Sequence, residues 1–504
     1  MNAALTPQRA TRIVVIALFA AAVITAGIFT NLKRLALAYD PIDYSFYAQF
    51  AAKLLDPQLS KSFSAQPDGY NFLGYYGTEG VYSFHQSLHL EPVKYLYALV
   101  FWIGKMPLAM YILIATLYFL PVLYLLAIHK IEQPEDVAFV LLFTLSYVTY
   151  PAVLATIAYD LRPRILFVPF LTLSVLSVIY RRPFIEKVIL ISALFLAREE
   201  ALLFAAVVIA MNFFSAGDRR KTLIETGVFV LLSSGYFLLM SMYFKWTGYG
   251  TERSSMVEAL PSLVPYLAAS AAMLVLIAAP GILLWKKNKL KLLALFQLLA
   301  FTSMVIPLSV QLKTEVDKWK LAGGNLLQVA AQRFLFSEKV ILYFIVMLLF
   351  VTILWHLTEA PQKQKVFHAV WAVLVGLLLI TSLVRNAGLF QLYQNQITNA
   401  DIVFKTVQGA NPYQTHVLTD EKTYQAFYNY EHAILYSRLP WSLAQEQRFF
   451  PENLPALRLL LPQVEYVVIS RNSDKDVLAL LAAENMRFSV VDENEQYSVL
   501  KVVR

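Results

Sequence analysis

Stretches of roughly 20 apolar residues, the length that crosses a bilayer as a helix, recur along this chain and constrain its fold more than any motif. They lie at about 13–30, 107–128, 137–157, 165–180, 223–244, 263–285, 290–311, 338–357 and 365–384. Only 15% of the 504 residues are charged and 58% are hydrophobic, with a mean hydropathy of +0.56. That composition cannot solvate an ordinary soluble surface, so the class is polytopic α-helical membrane protein. The net charge of +8 raises the question of nucleic acid, but no basic run exceeds a few residues. The Lys and Arg residues sit instead in short loops between apolar runs, where they set topology. There is no cysteine, which excludes a disulfide, a thiol nucleophile and a Cys-ligated metal.

The first run follows Arg9 and Arg12. Ala36-Leu37-Ala38 could serve as a cleavage site, but the apolar core exceeds a signal-peptide h-region and reads as an uncleaved anchor. A polar loop rich in Tyr, Phe and Asp then spans 32–92, and 93–103, with Lys94, is too short to cross and reads as an interfacial helix. Two short apolar pieces, about 186–197 and 201–214, are broken by Arg198-Glu199-Glu200. They predict a hairpin of short helices whose charged tip avoids lipid. With both pieces counted, the sequence predicts about eleven membrane helices, two of them short.

With the N-terminus inside, the cytoplasmic connections hold His129-Lys130, Arg181-Arg182, Arg219-Arg220-Lys221, Lys286-Lys287 with Lys289 and Lys291, and Lys363 with Lys365. Every short inside loop is then basic, as the positive-inside rule requires. After Arg385 the sequence turns polar, and short β-like runs (416–418, 433–436, 466–470, 487–491, 497–502) alternate with helical stretches near 421–430 and 475–484. The expected division is a membrane domain over 1–385 and an extracytoplasmic α/β domain over 386–504, in a multi-pass protein of the bacterial inner membrane.

This topology gathers ionisable residues on the outer face. Asp40 and Asp43 open the first loop, and His85, His89 and Glu91 close it. Asp160, Arg162 and Arg164 follow the third full span, Arg198, Glu199 and Glu200 form the hairpin tip, and Lys313, Lys318, Lys320 and Arg333 occupy a later loop. Charge beside hydrocarbon is costly and usually faces a cavity. Carboxylates with several arginines at one membrane face suit a phosphate-bearing substrate: Arg grips phosphate with two donors, and a carboxylate can take a proton from an acceptor hydroxyl.

Plainer readings exist. Asp40 or Asp43 can cap a loop helix. His89 and Glu91 can be interfacial decoration, Arg162 and Arg164 interfacial anchors, and Arg198-Glu199-Glu200 an ion pair. Asp40, Asp43, Asp160, Glu199 and Glu200 could together hold a divalent metal, but no spacing requires one, and His85 with His89 lacks a fixed third ligand.

Four of these motifs resemble a known family. Asp43-Tyr-Ser-Phe-Tyr-Ala-Gln49 is similar to the DLGIFDQ signature of a bacterial and archaeal membrane family, domain of unknown function 2079. His89-Leu-Glu-Pro-Val93 resembles its HFSPI or HFEPI, Tyr159-Asp-Leu-Arg-Pro-Arg164 its FDFHPE, and Arg198-Glu-Glu200 its KED, in the same order over about residues 39–215. More weakly, Tyr424–Tyr436 and Glu465–Ser470 resemble its terminal strands. That family in turn resembles the GT-C glycosyltransferases, multi-span enzymes that use polyprenyl-phosphate sugars at the outer membrane face, commonly with an acidic first-loop residue as base. The resemblance implies Asp43 as the base and Arg198, where the family has Lys, as a phosphate ligand. The further substrate-binding candidates are Asp40, Gln49, His89, Glu91, Asp160, Arg162, Arg164, Glu199 and Glu200. Ala48, Arg162 and Arg164 depart from the pattern, replacing an acid, a His and a Glu, which makes the site more basic. Such a change implies either a more anionic substrate or a site that no longer catalyses.

The expected partners are a polyprenyl-phosphate-linked sugar, a lipid or glycan acceptor and the bilayer, with no nucleic acid. The alternatives are a transporter or flippase of a lipid-linked anionic substrate, and a non-catalytic envelope assembly protein.

Overall fold

The structure is a computed structural model that describes residues 6–39, 47–48, 51, 74–76, 82–84, 92–104, 107–158, 161, 163–197, 201–215, 219–247, 338–357, 361–427, 429–430, 433–435, 461–471 and 474–503. Eleven described helices precede the C-terminal sheet: α1 (Pro7–Leu35), α2 (Lys94–Gly104), α3 (Pro107–Ile128), α4 (Pro134–Thr149), α5 (Val153–Ile157), α6 (Phe167–Ile179), α7 (Phe184–Ala197), α8 (Ala201–Ser215), α9 (Arg219–Thr247), α10 (Glu338–Leu357) and α11 (Pro361–Gly409). Among the described residues, four helices are long and apolar enough to cross a membrane: α1, α3, and the apolar parts of α9 and α11. A short hairpin, β1 (Gly74–Tyr76) with antiparallel β2 (Tyr82–Phe84), lies within the first loop. The spans expected at 263–285 and 290–311 lie outside the described residues.

Helix α1 starts where Thr6 accepts the Arg9 N–H at 3.4 Å and Pro7 supplies a preset φ at the first turn. It runs on through Lys33 and Arg34, so the first loop begins at Ala36 and not at 32. Both cations favour the negative end of the helix dipole. The expected span 137–157 is two helices, because Tyr150-Pro151 interrupts the ladder between α4 and α5. Short helices α7 and α8 form the expected hairpin: Lys187 near the start of α7 donates to Asn212 near the end of α8 at 2.8 Å, so the two run antiparallel.

Polar pairings separate the two ends of the bundle. At one end His129 Nδ1 meets the Tyr180 hydroxyl at 2.8 Å, Asp136 lies 3.4 Å from His129, and Trp355 donates to His368 Nε2 at 2.9 Å. Lys365 and Glu135 meet at 3.9 Å at the same end. The loops near 129, 181 and 360 therefore share one end, as strict alternation of the spans demands.

Helix α11 continues unbroken for 49 residues, past Arg385, where the sequence change suggested a boundary. The drop in hydropathy there marks where apolar side chains stop; Asn386–Gly409 stays helical. Beyond it lies a five-stranded mixed sheet of order β4-β3-β5-β7-β6, with β3 (Val417–Thr419), β4 (Ala433–Leu435), β5 (Tyr466–Ser470), β6 (Arg487–Glu493) and β7 (Tyr497–Val503). β3 is parallel to β4 and β5, and β7 pairs antiparallel with β5 and β6. The exposed edge strand β6 carries Arg487, Asp492 and Glu493 and an irregularity between Val490 and Asp492, features that discourage edge pairing with another chain. Helix α12 (Glu421–Tyr424) is capped by buried Asp420, whose carboxylate accepts the N–H groups of Thr423 (2.9 Å) and Ser470 (2.8 Å). The Tyr430 phenol, its pKa pushed up to about 12 by burial, donates to the Val407 and Ala410 carbonyls at 2.5 and 3.1 Å and ties the sheet to the end of α11.

Candidate functional site

The last turn of α1 builds one corner of the candidate site. Lys33 is 8% exposed, and its Nζ donates to the Ala158 carbonyl at 2.8 Å and stands 4.9 Å over the Tyr39 ring. A buried ammonium needs such partners, because stripping it of water is expensive. The Tyr39 phenol donates to the Thr30 carbonyl at 2.6 Å, and its ring stacks on Tyr111 at 5.4 Å and 9°. Tyr39 immediately precedes Asp40, so the chain enters the first-loop motif from a fixed point. Lys33 also joins that point to Ala158, which immediately precedes Tyr159-Asp160.

A second strap closes the loop's far end. The Val93 N–H donates to the Leu196 carbonyl at 3.0 Å. Val93 lies two residues after Glu91, and Leu196 two residues before Arg198. Tyr47 and Ala48, from the opening signature, are buried in the same apolar cluster as Val93, Leu161, Ile165 and Ala197. The Lys33–Ala158 bond joins neighbours of the first and third motifs and the Val93–Leu196 bond those of the second and fourth, and both lie at the helix ends away from the His129–His368 pairings. Half-buried Arg385 adds a further cation there, donating to the Pro151 carbonyl.

The exit from α1 is strained and held. Leu37 adopts φ 47°, a left-handed conformation that favours glycine. Its N–H donates to the Arg34 carbonyl and the Ala38 N–H to the Lys33 carbonyl, both at 3.0 Å, which completes a Schellman turn. The Leu37 side chain is 1% exposed and belongs to the cluster of Val403, Val417, Phe427, Val468 and Tyr497, while its carbonyl accepts the Gln425 amide at 3.0 Å. The C-terminal sheet therefore grips the entrance to the first loop. A cavity of about 190 Å³ adjoins this grip, lined in part by Arg34, Leu37, Phe404 and Gln425.

Asp40, Asp43, Gln49, His85, His89, Glu91, Asp160, Arg162, Arg198, Glu199 and Glu200 lie outside the described residues, as do Lys313, Lys318, Lys320 and Arg333. Arg164 sits by its backbone in a 3-10 turn, Pro163–Leu166, but its side chain is not described. Among the described residues no group of three or more His, Asp or Glu could hold a metal. Sequence reasoning missed Lys33, Tyr39 and Arg385. A signal for Lys33 existed: it ends an apolar run on the side where positive charge is not needed for topology.

No family model matches the chain, and no curated protein matches it. Among solved structures, the chain is similar to the crystal structure of ArnT from Cupriavidus metallidurans in the apo state. The two share 12% identity over 96% of this chain and 97% of that one, with a TM-score of 0.41. A TM-score of that size lends no weight to a claim of shared activity.

Proposed function

We propose that this chain is an integral-membrane glycosyltransferase of GT-C type, moving a sugar from a polyprenyl-phosphate donor to a lipid or cell-envelope acceptor outside the cytoplasm. The observation that carries this reading is the joining of the motif neighbours in pairs, through the Lys33–Ala158 and Val93–Leu196 bonds, at the helix ends away from the His129–His368 pairings. In the proposed reaction Asp43 takes the proton of the acceptor hydroxyl as its oxygen attacks the anomeric carbon. The bond from that carbon to the phosphate oxygen breaks, and configuration inverts in a single displacement. Arg162, Arg164 and Arg198 hold the leaving phosphate and stabilise its growing charge. Asp40, Gln49, His89, Glu91, Asp160, Glu199 and Glu200 orient donor and acceptor. Their residue types support these roles, since arginines suit the phosphate and carboxylates suit sugar hydroxyls.

The test is transfer by purified protein from a panel of polyprenyl-phosphate pentoses and hexoses. Asp43→Asn should lower the rate at least about 100-fold, the usual loss of a general base. Transfer by Asp43→Asn at the wild-type rate would remove Asp43 from this role.

A translocation role is favoured by one feature. Helices α7 and α8, of 14 and 15 residues, are each too short to span, as in the broken elements of transporters. Vesicles that change the sidedness of a lipid-linked sugar without forming a new glycosidic bond would establish that reading instead.

A further inference from the structure

The end of the bundle opposite the candidate site carries a cavity of about 290 Å³ lined by Phe184, Arg220, Lys221, Ile224 and Glu225. We infer that this cavity binds the headgroup of an anionic phospholipid. The inference is independent of the proposed transferase chemistry.

The floor of the cavity is charged but locally balanced. Glu225 and Lys187 are 5% and 6% exposed and form an ion pair, and Asn212 donates to Glu225 at 3.0 Å while accepting from Lys187 at 2.8 Å. Three helices, α7, α8 and α9, each contribute one member. Because Lys187 compensates it, the Glu225 carboxylate that lines the cavity does not leave the cavity negative. Arg220 and Lys221 set two cations in the lining beside that one paired carboxylate, and both side chains are exposed. The chemistry that fits two such cations is a phosphate.

The flanks decide between a lipid and a soluble anion. Ile185 and Ile189 on α7 are 71% and 61% exposed, and Leu223 and Ile224 on α9 are 60% and 61% exposed. In a membrane helix such side chains meet acyl chains, so an apolar path leads from the cavity into the hydrocarbon. A basic pocket between membrane helices with that lateral opening suits a phospholipid headgroup. The volume lies at the small end for a complete drug-sized ligand, which suits a headgroup whose tails stay outside.

The test uses the full chain in detergent, with native mass spectrometry and thermal stability read against added dioleoyl phosphatidylglycerol, dioleoyl phosphatidylcholine and inorganic phosphate. Phosphatidylglycerol should stay bound and raise the melting temperature; the other two should do neither. An Arg220→Gln, Lys221→Gln double variant should bind phosphatidylglycerol roughly 30-fold more weakly, about 5-fold per cation. Lys365→Gln, which removes an exposed cation at the same end but away from the cavity, should bind as wild type. Ile224→Trp keeps both charges and should also weaken binding by crowding the cavity. Equal binding of the two lipids, equal stabilisation by inorganic phosphate, or undiminished binding in either the double variant or Ile224→Trp would each overturn the assignment.

Discussion

Replacing Leu37 by alanine and by glycine should reverse the usual order of the two substitutions. In most positions glycine is the worse choice, by about 0.5–1 kcal/mol. Leu37 is different, because its φ of 47° penalises any side chain and its own side chain is 1% exposed. Leu37→Ala removes the buried isobutyl group at a cost of about 3 kcal/mol and keeps the left-handed strain. Leu37→Gly loses the same packing but relieves about 1 kcal/mol of strain, for a net cost of about 2 kcal/mol. The grip between Leu37 and the sheet should then open more often by roughly 100-fold in Leu37→Ala and roughly 30-fold in Leu37→Gly. Hydrogen exchange in β3 and at Gln425, measured on the purified protein in detergent, reports that opening. Faster exchange in Leu37→Gly than in Leu37→Ala would refute the strain argument, and unchanged exchange in both would refute the grip itself.

Three further outcomes follow from buried polar contacts. Lys33→Met should leave the Ala158 carbonyl without this donor, cost about 1–3 kcal/mol, and raise hydrogen exchange over 156–161 while the sheet stays protected; uniform exchange changes would contradict a local role. Asp420→Ala should strip the acceptor from the Thr423 and Ser470 N–H groups and cost about 3 kcal/mol, seen as early loss of protection at both amides on urea titration. Asp420→Asn, which keeps an acceptor, should cost less. Lys187→Met alone should destabilise by about 3–5 kcal/mol because Glu225 is left buried, whereas Lys187→Met with Glu225→Leu should recover most of that loss in thermal unfolding. A double variant as unstable as the single would speak against a buried ion pair.

Much of the helical layout was legible because hydrocarbon imposes one rule, a long apolar run, that sequence displays directly. α3, α10 and the α7–α8 hairpin lie within a few residues of their expected limits. The strands of the sheet were legible too, since β5 is a continuous apolar run and β7 is rich in valine. What hydropathy could not supply was helix continuing through polar sequence. Residues 386–409 are hydrophilic yet helical because α11 rests on α1, as in the Phe29–Tyr393 ring contact at 5.4 Å. The same blindness cut α1 short of Lys33 and Arg34. The break at Pro151 was readable from proline alone but was outweighed by the apolar run around it.

For the site, sequence motifs nominated residues, while packing revealed their supports. Nothing in the local sequence of Leu37 or Val93 announces partners at Gln425 and Leu196. Those partners are long-range, and their only sequence trace is a polar residue or a carbonyl of ordinary kind. Tyr39 was hidden similarly: one of 29 tyrosines, it is distinguished by its stack on Tyr111.

The bond between Leu37 and Gln425 joins residues 388 positions apart, and that separation has a consequence for the order of assembly. At synthesis rates of about 5–20 residues per second, Leu37 emerges tens of seconds before the sheet that holds it. During that interval the left-handed turn at Leu37 lacks the packing that offsets its strain. The entrance to the first loop therefore acquires its final shape last, although it is made among the first. On this timing, the turn at Leu37 is fixed only in chains folded through to β7.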